Sequence, residues 1–244
     1  MSTANQLRLE GVYVGYRRDV DVLQGVTLET AGRPVSLVIG PNGSGKSTTL
    51  KTAFGFLPPH RGIVTVGDKQ VQSLRPHEIK RMGVSYIPQG LNIFPQLTVE
   101  ENLRMGAWTF RRDRQRLREQ LGRVYDLFPV LHQRRRNKAN ELSGGQAKML
   151  SISKEVVTEP AVMLVDEPTA GLAPKISAQV YDFLLQTREA FGAQILLVDQ
   201  QIEDALRIAD FVYVLDLGKV RTEGPVREFQ GDRVRLLIQE ALYG

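Results

Sequence analysis

The stretch Gly40-Pro41-Asn42-Gly43-Ser44-Gly45-Lys46-Ser47-Thr48 constrains this chain more than any other. It follows the apolar run Val35-Ser36-Leu37-Val38-Ile39 and leads into a segment with Leu50, Phe54 and Leu57 at helical spacing. Gly40, Gly45, Lys46 and Ser47 satisfy the pattern G-x-x-x-x-G-K-[ST], in the strand, loop and helix setting that gives the pattern its meaning. Glycine reaches backbone angles closed to other residues, so such a loop can turn bare N–H groups onto a polyphosphate. The helix behind it points the positive end of its dipole at the same anion. Lys46 is expected between the outer phosphates, with the Ser47 hydroxyl on Mg²⁺. The stretch is a nucleotide phosphate site.

A chain of 244 residues accommodates one large α/β domain, or a core domain with an inserted subdomain. No window approaches the run of about 18 apolar residues that a membrane-spanning helix needs; the apolar runs, such as Ala161–Val165 and Ile195–Val198, are of strand length. The opening residues, Met1-Ser2-Thr3-Ala4-Asn5-Gln6, lack the basic-then-apolar layout of a signal peptide. With no cysteine, disulfides, thiolate zinc sites and cysteine catalysis are excluded. A cytoplasmic protein is expected. The formal charge of +5 is concentrated in Arg111–Arg118 and Arg134–Lys138. Such runs can face nucleic acid or anionic lipid, but no aromatic residues interleave with these arginines for base stacking, so a solvated face is the expectation.

The first part of the chain reads as antiparallel strands. Leu7-Arg8-Leu9 and Val12-Tyr13-Val14 alternate loosely, and Val22-Leu23 and Val26-Thr27-Leu28 follow a polar turn. Ile63–Val66 and Val84–Ile87 are further strands. From Thr98 to about Thr158 the pattern turns helical. Thr98 and Glu101 form a capping box, and Leu117, Leu121, Val124 and Leu127-Phe128 recur every three or four residues. Strands resume at Ala161–Val165, Gln194–Val198, Phe211–Leu215 and Val220–Glu223, with helices over Pro174–Ala190 and around Glu203–Ala209. The fold expected is α/β: a P-loop NTPase core with a mostly parallel sheet, an N-terminal antiparallel β subdomain and an inserted α-helical subdomain. The core takes residues 1–90 and 159–230 and the helical subdomain 91–158. A tail, 231–244, contains the amphipathic segment Val234–Ile238, expected as a docking helix.

Asp166-Glu167 follows a buried strand, and in α/β sheets ligands bind beyond the carboxyl ends of strands. Asp166 is expected to hold Mg²⁺ through water, and Glu167 to orient or deprotonate an attacking water. Leu142-Ser143-Gly144-Gly145-Gln146 opens another helix: Ser143 is an N-cap, Gln146 takes the capping-box position, and Gly144 and Gly145 leave N–H groups open to an anion.

Together these motifs resemble the ATP-binding-cassette (ABC) ATPases over nearly the whole chain. Gly40–Thr48 is similar to the family's phosphate loop, Gln89 to its Q-loop glutamine, Leu142–Gln146 to its signature and Val162–Glu167 to its second nucleotide motif. The resemblance implies a head-to-tail dimer with two ATP molecules at the joint. Each site would pair the phosphate loop of one subunit with Ser143, Gly144 and Gly145 of the other, so that ATP glues the pair and hydrolysis releases it. It also implies that Tyr16, rather than Tyr13, stacks on adenine, and that Gln89 reaches Mg²⁺ and reports it to the helical insertion. Two positions depart from the common pattern. Gln200 stands where the family usually has histidine; it can donate a hydrogen bond but cannot carry a proton, so Glu167 is expected to do the base chemistry. Ala173 stands where an acid is usual, in the loop thought to link the two sites.

Gln200, Ala170–Pro174 and Leu97–Leu103 with Met105-Gly106 resemble the importer ATPases for branched-chain amino acids and for urea or short amides. That likeness implies ATP and Mg²⁺ as cofactors and a second ABC ATPase subunit. It also implies two transmembrane permease subunits, an extracytoplasmic solute-binding protein and a place on the inner face of the cell membrane. Phe94–Leu97 is where a permease loop would dock. A nucleic-acid-associated cassette and a weakly hydrolysing ATP sensor are the alternatives. One phosphate loop, no sustained heptads and no cysteine speak against the first, and no nucleic-acid partner is expected.

Overall fold

The computed structural model of the chain describes residues 6–17 and 19–229; the expected docking helix at Val234–Ile238 lies outside them. Two sheets organise the described residues. The first is antiparallel, in the order β2-β1-β4-β5, and is built from β1 (Leu7–Val14), β2 (Leu23–Glu29), β4 (Arg61–Val66) and β5 (Lys69–Gln70). The second runs β10-β9-β3-β8-β7-β6. It comprises β3 (Val35–Ile39), β6 (Val84–Ile87), β7 (Val162–Asp166), β8 (Gln194–Val198), β9 (Phe211–Asp216) and β10 (Lys219–Pro225). Its pairings are parallel except for the β9–β10 hairpin.

The short apolar runs of the parallel strands serve two cores at once, because successive side chains point to opposite faces. Val38, Leu164, Leu196 and Tyr213 pack between the two sheets, with Leu50 and Ala53 of α1 (Lys46–Ala53). Their neighbours Leu37, Val165, Leu197 and Val214 pack on the other face, under α6 (Gly144–Val156) and α7 (Pro174–Phe191). A third core belongs to the inserted helices α3 (Val99–Gly106), α4 (Arg114–Leu127) and α5 (Pro129–Gln133). Leu103, Leu117, Leu121, Val124 and Phe128 meet Leu150 of α6 there. Local chemistry punctuates these helices. Thr98 accepts from the Glu101 N–H at the start of α3, Asp113 from the Arg116 N–H at the start of α4, and Pro129 opens α5.

Three details differ from the expected pattern. Leu7–Leu9 and Val12–Val14 belong to one strand, because Gly11 at φ +57° forms a bulge and the ladders to β2 and β4 resume beyond it. Helix α2 (Pro76–Arg81) is an additional element: with Ile79 as its one buried residue it carries no apolar period. Helix α8 spans Ile202–Leu206 only. Its last turn tightens, with the Arg207 N–H on the Asp204 carbonyl and the Ile208 N–H on the Ala205 carbonyl. Arg116 of the first arginine run is used within the fold, together with Arg123 beyond it. Arg116 lies over Phe110, Arg123 lies over Phe191, and both arginines pair with Glu159.

Helix α6 is buried throughout Ala147–Val156, polar residues included. Four of those side chains grip the segment that follows β6. The Lys148 Nζ donates to the carbonyls of Pro88 at 3.2 Å and Gln89 at 3.1 Å. Ser151 donates to the Asn92 side-chain oxygen at 2.9 Å, and Lys154 to the Asn92 carbonyl. Glu155 accepts from the Asn92 amide at 3.0 Å and from Lys80 of α2 at 2.5 Å. Burial pulls the Lys148 ammonium down to about 8. Removing one member of a buried ion pair strands the other charge, at a cost of about 3–5 kcal/mol. Glu155→Ala is therefore expected to lower the unfolding free energy by roughly that much in urea titration; a loss under about 1 kcal/mol would mean that Lys80 and Asn92 are solvated without it.

Candidate functional site

The phosphate loop joins β3 to α1, and torsion favours glycine at two of its positions, Gly40 being required by clearance as well. Gly40 has φ +151°, and a Cβ there would lie 1.9 Å from the Leu215 carbonyl oxygen; Gly45 has φ +105°, with Leu23 Cδ2 2.6 Å from its missing Cβ. No side chain caps the start of α1. Asn42 and Gly43 are exposed, Pro41 is half-buried, and Ser44 and Thr48 are buried. The Ser44 hydroxyl is buried without a partner. Lys46 Nζ folds back onto the carbonyls of Gly40 and Pro41, 2.9 Å from each. Burial holds its ammonium below the ordinary lysine range, and the carboxylates of Glu167 and Asp166 offset part of that shift.

Strand β7 lies two strands from β3 and delivers both acids to this loop. The Ser47 hydroxyl donates to Asp166 Oδ1 at 2.8 Å, and the Tyr86 hydroxyl donates to Oδ2 at 2.9 Å. Burial and the adjoining carboxylate drive the Tyr86 phenol well above its ordinary range. Glu167 is gripped on both oxygens: Gln89 Nε2 donates to Oε2 at 2.7 Å and Gln200 Nε2 to Oε1 at 2.8 Å. Its backbone sits at φ +42°, a left-handed conformation uncommon outside glycine, and its N–H is held by the Val198 carbonyl at 2.8 Å.

The structure thus gathers the loop 40–48, Gln89, Asp166, Glu167 and Gln200 around one point. The turn 142–146 stands apart, and among the described residues no hydrogen bond joins it to the loop. It opens α6 with the Ser143 N–H on the Gln146 side chain at 3.1 Å and the Gln146 N–H on Ser143 Oγ at 3.4 Å. Leu142 is half-buried; Ser143 and Gly144 are exposed. Gly144 has open space at its Cβ position, while a Cβ on Gly145 would press to 2.9 Å of Ile176. Tyr16 is 61% exposed, its ring 6.0 Å from Lys51 Nζ of α1, whereas Tyr13 is already occupied by Arg61 and His60.

Sequence reasoning missed Tyr86, Lys148 and the group around Asp199. Asp199 is buried and accepts from Thr169 at 2.9 Å, from Tyr181 at 3.0 Å and from the Gln201 N–H at 3.0 Å, which ties the loop 168–174 to the end of β8. Only a polar residue directly after an apolar strand hints at this, and the partners are up to 30 residues away.

Chemically, the arrangement offers a hydroxyl and a carboxylate in contact beside a loop built for an anion. These are hard oxygen donors of the kind Mg²⁺ takes when phosphate oxygens and water complete its shell. Among the described residues no group of three or more His, Asp or Glu forms a closed metal cage, so the donor set fits an ion shared with a phosphate. No described helix is long and apolar enough to cross a membrane.

The profile of the ABC transporter family matches residues 23–170. The chain is 37% identical over 222 residues to the probable branched-chain amino acid transport ATP-binding protein LivF of Archaeoglobus fulgidus, covering 91% of this chain and 93% of that one. It is 35% identical over 205 residues to the high-affinity branched-chain amino acid transport ATP-binding protein BraG of Pseudomonas aeruginosa, covering 84% and 87%. In three dimensions it resembles the ADP conformation of MJ1267, an ATP-binding cassette of an ABC transporter. The TM-score is 0.86 and the identity 26%, over 98% of this chain and 99% of that one. With the family profile covering the phosphate loop and the paired acids, relatives aligned over most of their length and a solved cassette sharing the fold, this chain belongs to the ABC transporter family, as an ATP-hydrolysing subunit.

Proposed function

We propose that this chain drives import of a small polar solute, with branched-chain amino acids first and urea or short amides next. The observation that carries the catalytic part is Glu167, with an amide on each carboxylate oxygen and the phosphate loop beside it. In this reading Lys46 leaves the carbonyls of Gly40 and Pro41 for the outer phosphates, and the N–H groups of Gly43, Gly45 and Thr48 donate to phosphate oxygens. Ser47, Asp166 and Gln89 hold Mg²⁺, which neutralises phosphate charge. Glu167 accepts a proton from the attacking water, and Gln200 positions without carrying one. Tyr16 offers an open ring face to adenine. Ser143 presents its hydroxyl, and Gly144 and Gly145 their N–H groups, to a nucleotide held by another subunit.

Residues 1–90 and 159–230 act as the ATP-binding core and 91–158 as the helical subdomain. The partners in this reading are a second ATPase, two permeases and a solute-binding protein, with the chain on the inner face of the membrane. Leu91, Phe94 and Met105, exposed apolar side chains on the segment after β6 and on α3, support docking of an amphipathic permease helix there. The solute reading rests on the likeness to LivF and BraG and on Gln200 at the switch position. Disrupting the gene and following uptake of labelled leucine, isoleucine, valine, urea and acetamide tests it. Loss of uptake of one solute class, restored by the wild-type chain and not by a Lys46→Ala variant, is the expected result. Unchanged uptake of all five would overturn the assignment.

A further inference from the structure

Asp166 is held in place by two hydroxyl groups from different parts of the fold, and only one of them belongs to the phosphate loop. The other comes from β6. That strand pairs in parallel with β7, and Tyr86 lies opposite Leu164. Residues 164 and 166 share a face of the sheet, so a side chain opposite the first needs to reach along by about 6.6 Å to touch the second. A tyrosine spans that distance; a smaller residue does not. The ring is fixed as well. It stacks on Phe54, centroids 5.6 Å apart at 26°, and meets the edge of Phe56 at 5.3 Å and 83°. Phe54 is the C-cap of α1, so the same helix that begins with the phosphate loop ends against the phenol ring.

We propose that Tyr86 is a positioning residue for the metal: its hydroxyl fixes the plane of the Asp166 carboxylate so that the opposite oxygen faces the ion. The proposal rests on the magnesium reading given above. In that reading the Ser47 hydroxyl turns to the ion when nucleotide arrives, which weakens its grip on Oδ1. Among the described residues Tyr86 is the one donor to Oδ2, so it alone then sets the orientation of the carboxylate. Partners of this kind, one step removed from the metal, commonly alter metal affinity or activity 10- to 100-fold.

Tyr86→Phe keeps the ring and its two aromatic contacts and removes only the donor. The test follows binding of Mn²⁺, as a probe for Mg²⁺, by electron paramagnetic resonance on the full chain with ADP. ATP hydrolysis is measured in parallel across a range of free Mg²⁺. For the variant we expect Mn²⁺ binding weakened about tenfold, half-saturating Mg²⁺ raised by about the same factor, and kcat at saturating metal within about twofold of wild type. Wild-type binding of Mn²⁺ that is unchanged or tighter in the variant would overturn the role of Tyr86 and leave the magnesium reading standing. A variant whose kcat falls at every metal concentration with no shift in half-saturation would overturn it too, since that is the signature of a packing defect. A wild-type chain that binds no Mn²⁺ with ADP would overturn the magnesium reading and the proposal together.

Discussion

Replacing Glu167 with glutamine is expected to cut phosphate release by about 10²–10⁴-fold, the range a positioned general base contributes. Nucleotide binding should persist, because the phosphate loop is untouched. The substitution is close to isosteric, and the left-handed backbone at φ +42° is no harder for glutamine than for glutamate. What changes is the acceptor count. Glu167 now accepts one amide on each oxygen, from Gln89 and from Gln200. Glutamine has one acceptor oxygen and an NH₂ group, so one of those two amides must flip to offer its own oxygen, or turn away. Steady-state phosphate release, nucleotide binding by fluorescence and size-exclusion chromatography with ATP together read the outcome. Turnover within tenfold of wild type would remove Glu167 from the role of base.

The second large effect concerns Ser143. Aspartate caps a helix about as well as serine, so Ser143→Asp should leave α6 and the melting temperature nearly unchanged. It nevertheless sets a carboxylate where the reading requires a phosphate to approach, exposed at the open end of the helix. Loss of one preorganised anion donor costs about 10²–10³-fold in turnover, and a like charge there adds to that. Binding of nucleotide to the chain's own phosphate loop should be unaffected, since no hydrogen bond links the two among the described residues. Ser143→Thr, which keeps the hydroxyl, should retain activity. Equal rates for serine and aspartate would mean that the turn 142–146 is only a capped helix start.

What could be read from the sequence, and what could not, divides by distance along the chain. The phosphate loop is an eight-residue pattern that carries its own explanation, and the capping boxes at Thr98 and Ser143 close within three residues. The five apolar residues before Asp166 announce a strand buried on both faces, which is how β7 packs. Tyr86 and Asp166 meet across 80 positions, and nothing in the short strand Val84–Ile87 marks the phenol as more than a half-buried aromatic. Lys148, Lys154 and Glu155 are harder still. Charged residues on a helix ordinarily face water, and their burial becomes visible only once α6 is packed between α3, α7 and β6. The gap between Leu7–Leu9 and Val12–Val14 is a bulge at Gly11 within one strand, held there by pairing with strands on both sides of β1.

The polar grip on Asn92 and on the carbonyls of Pro88 and Gln89 runs along the flank of α6, whereas Ser143 sits at its tip. A helix of 13 residues is a rod about 20 Å long. Tilting it by about ten degrees about its far end would swing the tip by roughly 3 Å, more than the tolerance of a hydrogen bond. On the proposed reading, a modest push on the segment beside Gln89 would be geared up into making or missing contact with a partner's nucleotide. How readily two such subunits would clasp is then a matter of leverage as much as of surface chemistry.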